Sequence, residues 1–363
     1  MSPRPASLAL AAALVLVTAL AFGLRLWHAR TNVLVPDEEI LTGLAEPIFQ
    51  PGAPWPRHGG DHPALGIYLL AGSAAAFGRD LHGYRTLNVF FGTAATLLTA
   101  TAVARSASRA EALLAALLLA VDPLHVWLSS LATQFAPQVA FVSAAWLCLA
   151  GLPGGGRRAL VGASGFLGLA FLCNESAALV GFAWAIVLWR RSALRAGLLG
   201  ADYLWAAAVG LAVISPDIVY NFNAARPDYH YVNYLDHLSR MATPTVGLQG
   251  LGFFLRDAFN SWLGDRPGVW MDYRDEYVGH GILLGALLLA GWLHSLRKEG
   301  DPTGGLWSLP PLLFIAVVTF TRPAGGFELD PPNWTWPMTT IGLVAAATAR
   351  LLVGAGRALI ARA

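Results

Sequence analysis

Residues 7–27 read SLALAAALVLVTALAFGLRLW, and this run decides what kind of chain follows. It comes just after Arg4 and outlasts the ~7–15 residues of a secretion-signal core, and no clear small-x-small cleavage site follows it. Bilayer spans need about 17–25 such residues. The run is therefore read as a retained first membrane span.

Working outward, the pattern repeats. Further apolar runs cover 84–104, 112–130, 137–151, 159–173, 177–189, 196–215, 279–296, 306–320 and 336–352. The 363 residues are 56% hydrophobic and 13% charged, with a mean hydropathy of +0.54. A soluble chain of this length needs more polar surface to cover its core. Cys148 and Cys173 both fall inside apolar runs. They read as small buried hydrophobes rather than as a disulfide or a zinc site.

The net charge of +2 says little, but the placement of the charges says more. Short junctions between alternate spans carry Arg105 and Arg109, Arg157 and Arg158, Arg190, Arg191 and Arg195, and Arg297 with Lys298; the tail adds Arg350, Arg357 and Arg362. The positive-inside rule puts these junctions and both termini in the cytoplasm, and alternation then gives about ten crossings. The expected fold is an all-α polytopic membrane protein, one domain over 1–363, in a bacterial cytoplasmic (inner) membrane. Most acids fall on the other face, in a first external loop over 30–83 and a large one over 217–278. Within the first, residues 62–78 are apolar but short, and a crossing there would invert every later arginine loop. This segment is expected to lie as a juxtamembrane helix in the outer interface, with Tyr68 and Phe77 near the headgroups. No P-loop or dinucleotide-binding glycine pattern occurs, and nothing marks a nucleic-acid partner.

Chemistry gathers in the outer loops. Val35-Pro36-Asp37-Glu38-Glu39 sets three adjacent carboxylates at a membrane edge, which is costly near lipid and points to function. The same residues suit a helix start, with Asp37 capping and the glutamates favoured by the dipole. Next comes Arg57-His58-Gly59-Gly60-Asp61-His62-Pro63. Asp61 and His62 have the chemistry of ligands for a divalent metal ion, since imidazole nitrogen and carboxylate oxygen suit zinc or manganese; a solvated loop is the other reading. His230, Asp236 and His237 carry the same two readings. Asn174-Glu175-Ser176 sits at the outer end of a helical hairpin, where Glu175 is a ligand contact or a cap partner. Tyr220, Asn221, Asn223, Tyr229 and Tyr231 suit a carbohydrate surface or an aromatic belt.

The order of these features resembles the GT-C glycosyltransferases, in particular the protein O-mannosyltransferase and aminoarabinose-transferase branch (glycosyltransferase family 39-like). The matching stretches are Pro36-Asp37-Glu38-Glu39, His62-Pro63-Ala64-Leu65-Gly66-Ile67-Tyr68, and Gly83-Tyr84-Arg85-Thr86-Leu87-Asn88. The resemblance implies a polyprenyl-phosphate-linked sugar donor lying among the membrane lipids, and transfer to a lipid, glycan or protein acceptor at the outer face. It implies Asp37 as general base or acceptor-orienting group, with Glu38 beside it. The departing phosphate needs positive charge or a metal, and Arg57, Asp61, His62 and Arg85 lie in the region to provide it; Gln134 and Glu175, read from the residues themselves, are further substrate-binding candidates. One departure is clear: where many members carry a second acid, residues 129–138 hold none, and Gln134 and Gln138 can only hydrogen-bond a sugar. Two other classes stay open. A transporter or lipid flippase would show charges or helix breaks mid-span and often an internal repeat. An inactive accessory subunit would keep the fold and lose the acid.

Overall fold

The computed structural model describes residues 5–52, 58–59, 62–190, 198–222, 281–297, 306, 309–311 and 335–361. The first apolar run forms α1, Pro5–Thr31. Within the first loop lie α2, Pro36–Ala45, a 3₁₀ turn, Glu46–Phe49, and a two-residue antiparallel hairpin, β1 His58–Gly59 with β2 His62–Pro63. Then follow α3, Leu65–Phe77, α4, Leu81–Ser106, α5, Arg109–Val121, and α6, Pro123–Leu128. The bundle continues with α7, Phe135–Ala150, α8, Leu152–Cys173, α9, Ala177–Arg190, α10, Gly200–Phe222, α11, Gly281–Arg297, and α12, Thr335–Ile360. Among the described residues the fold is all-α apart from that minimal hairpin.

Among the described residues four helices are long and apolar enough to cross a bilayer: Ala9–Thr31, Leu81–Ser106, Gly200–Val219 and Thr339–Ile360. Leu65–Phe77, Phe135–Ala150 and Ala177–Arg190 are apolar but shorter. The expected juxtamembrane helix is α3. Its 13 residues reach only about 20 Å, well short of the ~30 Å hydrocarbon layer. Ile67, Leu70, Ala71 and Ala74 are buried on one side of it, against α2 and α4.

Two expected spans differ in the structure. The run 112–130 is not one helix: α5 ends at Val121, and Asp122 caps a new short helix whose first residue is Pro123. Proline has no N–H to continue the ladder, and the Asp122 carboxylate accepts the His125 N–H at 2.8 Å instead. The run 159–173 starts earlier, at Leu152, and breaks at Gly156, where φ is +47°, a backbone state that favours glycine. Of the large loop 217–278, residues 217–222 extend α10, and the rest, with Asn223, Tyr229, His230, Tyr231, Asp236 and His237, lies outside the described residues. Cys148 and Cys173 are free thiols, the first partly buried and the second buried.

α4 is the organising helix, packed by α1, α3, α5 and α7. Three contacts show that α4 and α7 run in the same direction. Asn88 bonds the Thr133 carbonyl just before α7, Thr99 meets Ser143 in its middle, and Arg105 reaches the Leu147 carbonyl near its end. The bundle therefore has two distinct ends. Asp37, Glu38, Arg85 and residues 129–134 gather at one, and Arg105, Arg109, Arg157 and Arg190 at the other.

Candidate functional site at the acid-bearing end

α2 starts at the acidic triplet for local reasons. Pro36 takes the first helical position, where a missing N–H costs nothing, and Asp37, Glu38 and Glu39 fill the positive first turn. The capping residue is Val35, so Asp37 does not cap. Glu38 accepts the Val35 N–H at 3.2 Å, the reach-back half of a capping box.

Glu38 does much more than cap. Its side chain is fully buried and forms an ion pair with Arg85 of α4, equally buried. Arg85 Nε donates to Glu38 Oε1 at 2.7 Å and Nη2 to Oε2 at 2.5 Å, a two-point geometry. Oε1 also accepts the Ala132 backbone N–H at 2.5 Å. The carboxylate therefore accepts four hydrogen bonds from three segments of chain. Arg85 is equally committed. Its Nη1 donates to the carbonyls of Ala29 (2.9 Å) and Asn32 (2.8 Å), and its Nη2 to that of Val33 (2.7 Å). These carbonyls close the C-terminal end of α1, where the backbone lacks intrahelical partners and the dipole is negative. All five guanidinium N–H groups are thus donated inside the protein.

Residues 129–134, joining α6 to α7, are clamped from both sides. Asn88 of α4 donates to the Leu131 carbonyl (2.5 Å) and the Thr133 carbonyl (2.7 Å), while Glu38 takes the Ala132 N–H. Gly66 of α3 presses on Gln134: a methyl group at Gly66 would lie 2.7 Å from Gln134 Cβ. One turn into α7, Gln138 Nε2 donates to the Asn174 carbonyl (3.3 Å) and to Ser176 Oγ (2.8 Å). Ser176 in turn meets Thr339 at the start of α12, at 3.2 Å. The turn carrying Glu175 is thereby joined to the same end. Because a carbonyl accepts the Gln138 amide nitrogen, its other atom is an acceptor. That oxygen, with Thr133 Oγ1 and Gln134 Oε1, is buried without a hydrogen-bond partner among the described residues.

Asp37 is half-buried beside this network and Glu175 half-buried across it. The structure therefore brings Asp37, Glu38, Arg85, Gln134 and Glu175 to one end of the bundle. Arg57 and Asp61 lie outside the described residues, as does the side chain of His62, whose backbone pairs with Gly59 in the hairpin. Among the described residues no three His, Cys, Asp or Glu side chains converge on a point, so the expected metal has no complete ligand set there.

Three residues escaped the sequence reading. Asn88 stood in a motif that matched the family but was given no role. Arg25 is fully buried in α1, donating to the Leu119 (3.1 Å) and Ala120 (3.2 Å) carbonyls at the end of α5 and to His125 Nδ1 (2.5 Å). A charge inside an apolar run was the available signal for Arg25. His125 gave none, because its partner lies 100 positions away.

Helix order, the juxtamembrane helix and the acid-bearing first loop together define a membrane protein with the GT-C glycosyltransferase fold. Residues 61–220 match the family described as dolichyl-phosphate-mannose-protein mannosyltransferase. Among solved structures, ArnT from Cupriavidus metallidurans bound to undecaprenyl phosphate superposes with a TM-score of 0.68 at 15% identity, covering 92% of this chain and 59% of that one. The archaeal oligosaccharyltransferase AglB from Archaeoglobus fulgidus, in complex with an inhibitory peptide and a dolichol-phosphate, gives a TM-score of 0.52 at 15% identity, covering 98% and 52%. The Archaeoglobus fulgidus oligosaccharyltransferase complex with Zn and sulfate gives 0.54 at 14%, covering 94% and 49%. The chain spans 49% to 59% of the length of these proteins. No curated protein matches it. The chain is thus a multi-pass integral membrane protein of GT-C architecture, similar to the mannosyltransferase family and to ArnT.

Proposed function

We propose that this protein is a membrane glycosyltransferase that moves a sugar from a polyprenyl-phosphate-linked donor to a lipid, glycan or protein hydroxyl at its acid-bearing, extracytoplasmic face. One observation carries the reading: Asp37 is presented at the start of α2 by a neighbour, Glu38, that is locked to Arg85 and Ala132. Asp37, half-buried in the first turn of α2, is held in place by that neighbour, which is what a base needs.

In the proposed reaction the acceptor hydroxyl oxygen attacks C1 of the sugar while the bond from C1 to the phosphate oxygen breaks. The electron pair leaves with the polyprenyl phosphate, and the hydroxyl proton passes to the Asp37 carboxylate. Attack opposite the leaving group inverts the anomeric centre. Glu38 and Arg85 act as positioning residues. The Thr133, Gln134 and Gln138 oxygens are buried acceptors suited to sugar hydroxyls, whose donation would satisfy them. Glu175 is assigned to the same substrate from the opposite wall. Negative charge builds on the departing phosphate and calls for cationic partners, a role assigned to Arg57 and His62 in the first loop. A divalent ion held by Asp61 and His62 would add to that neutralisation.

The test is transfer by the purified full chain in proteoliposomes supplied with a radiolabelled polyprenyl-phosphate sugar. The expected result is label in a covalent acceptor product together with free polyprenyl phosphate. Label crossing the membrane with the donor intact would establish a flippase instead.

A further inference from the structure

We propose that the arginine-bearing end of the bundle holds one anionic phospholipid, with an acyl chain inside a cavity between α7, α8, α9 and α10 and its phosphate against Arg157. This site is separate from the one described above and does not depend on the proposed reaction.

The cavity measures about 480 Å³, within the roughly 300–1,000 Å³ range of small-molecule sites. Leu149, Leu160, Leu167, Trp184, Leu188 and Ala206 form its walls. Leu149, Leu160, Leu188 and Ala206 lie toward the ends of their helices away from Asp37 and Glu38, with Trp184 and Leu167 deeper in the bundle. Apart from the Tyr203 hydroxyl, the buried polar groups in the walls are already used. Ser164 donates to the Ala206 carbonyl at 2.6 Å, and Trp184 Nε1 to the Leu306 carbonyl at 2.6 Å. Away from Tyr203 a polar ligand would therefore enter without hydrogen bonds, at a cost that an alkyl chain does not incur.

The rim has different chemistry. Tyr203, at the start of α10, lines the cavity, and its hydroxyl is buried without a hydrogen-bond partner among the described residues. Beside it, Arg157 lies over the Trp205 ring, 4.9 Å from its centre, with Nε 3.9 Å from Asp202. Asp202 itself is turned to its own helix start, accepting the Leu199 N–H at 2.8 Å. The Arg157 side chain remains 52% exposed, and Arg158 and Arg190 are exposed at the same end. Trp189 both lines the cavity and stands 75% exposed, so the opening faces outward, toward lipid. Tryptophan beside arginine is the composition of a headgroup layer. The matching ligand has an apolar tail, hydrogen-bond acceptors where the tail begins, and a negative head. A phospholipid with an anionic phosphate head meets all three requirements.

The experiment is native mass spectrometry of the purified full chain in detergent, titrated with phosphatidylglycerol, with phosphatidylcholine of the same acyl chains, or with undecaprenyl phosphate. Phosphatidylglycerol is expected to be retained preferentially, as one molecule. Gly181→Leu, which fills the cavity, should abolish that retention. Gly181→Ala, whose added methyl group meets only Leu167 at 3.6 Å and so preserves the fold, should weaken it. Arg157→Gln should lower affinity about fivefold, the worth of one basic group near an anionic surface. Equal retention of both phospholipids, or unchanged binding by both Gly181 variants, overturns the assignment. Preference for undecaprenyl phosphate overturns it as well.

Discussion

Arg85 and Glu38, 47 positions apart, form a buried ion pair in which every N–H of the guanidinium is donated. The pair ties the end of α1, the start of α2, the outer part of α4 and the segment before α7 into one unit. Its consequence is placement: Asp37 is the next residue.

Removing one partner leaves the other charge buried and unmatched, at a cost of about 3–5 kcal/mol. Arg85→Met also strands the carbonyls of Ala29, Asn32 and Val33, so it should be the worst of the set. Glu38→Gln keeps one acceptor oxygen, able to serve Arg85 Nε and Ala132, while its NH2 faces Arg85 Nη2 and the Val35 N–H, and it should be milder than Arg85→Met. Thermal unfolding in detergent should rank wild type above Glu38→Gln, and Glu38→Gln above Arg85→Met. Equal stability of Arg85→Met and wild type would remove the pair from the account.

Gly66 and Gly72 lie on the same helix and make opposite predictions. A methyl group at Gly66 would meet Gln134 Cβ at 2.7 Å, whereas one at Gly72 meets nothing within 4 Å. Gly66→Ala should therefore destabilise by about 1–3 kcal/mol through overpacking. Gly72→Ala should stabilise by up to about 1 kcal/mol through helix propensity. The same unfolding measurement checks both signs.

Asn88 holds two carbonyls of the 129–134 segment. Asn88→Leu leaves both buried and unpaired, at about 1–3 kcal/mol each. Hydrogen exchange should rise in residues 129–134 and leave the α4 centre unchanged. Asn88→Asp, which offers no donor, should behave no better. Protection of 129–134 in both variants would contradict the clamp.

Arg25 does for α5 what Arg85 does for α1, donating to the last carbonyls of a helix. Gly92 makes room for it, since a methyl group there would come within 2.5 Å of Ser129 Oγ and 2.7 Å of Arg25 Nε. Arg25→Leu and Gly92→Ala should both lower the unfolding temperature, and the double variant should cost less than the sum of the two. Additive losses would show that the two residues act independently.

Much of the architecture was legible in the sequence because bilayers impose simple arithmetic. The apolar runs that fall within the described residues became helices, and the short run at 62–78 became the helix Leu65–Phe77. The break at Asp122-Pro123 inside a continuous apolar run was missed, because hydropathy averages over the two residues that stop the helix. The site was less legible. The acidic triplet was visible, but its division of labour was not, since Glu38 is distinguished from Asp37 only by a partner 47 residues away. Periodicity reports which face is apolar, and long-range polar pairing leaves no such trace. Arg85, read as a phosphate contact, makes its hydrogen bonds within the protein, and nothing in Gly83-Tyr84-Arg85 foretells that.

The central claim is that Asp37 is the base and Glu38 its support. The most direct measurement is steady-state sugar transfer from a polyprenyl-phosphate donor by wild type, Asp37→Asn and Glu38→Gln, each matched for folded protein. General-base loss should lower kcat of Asp37→Asn by about 10²–10⁴-fold with donor KM little changed. Glu38→Gln should lose less kcat and show reduced thermal stability. Transfer by Asp37→Asn at the wild-type rate would contradict the account.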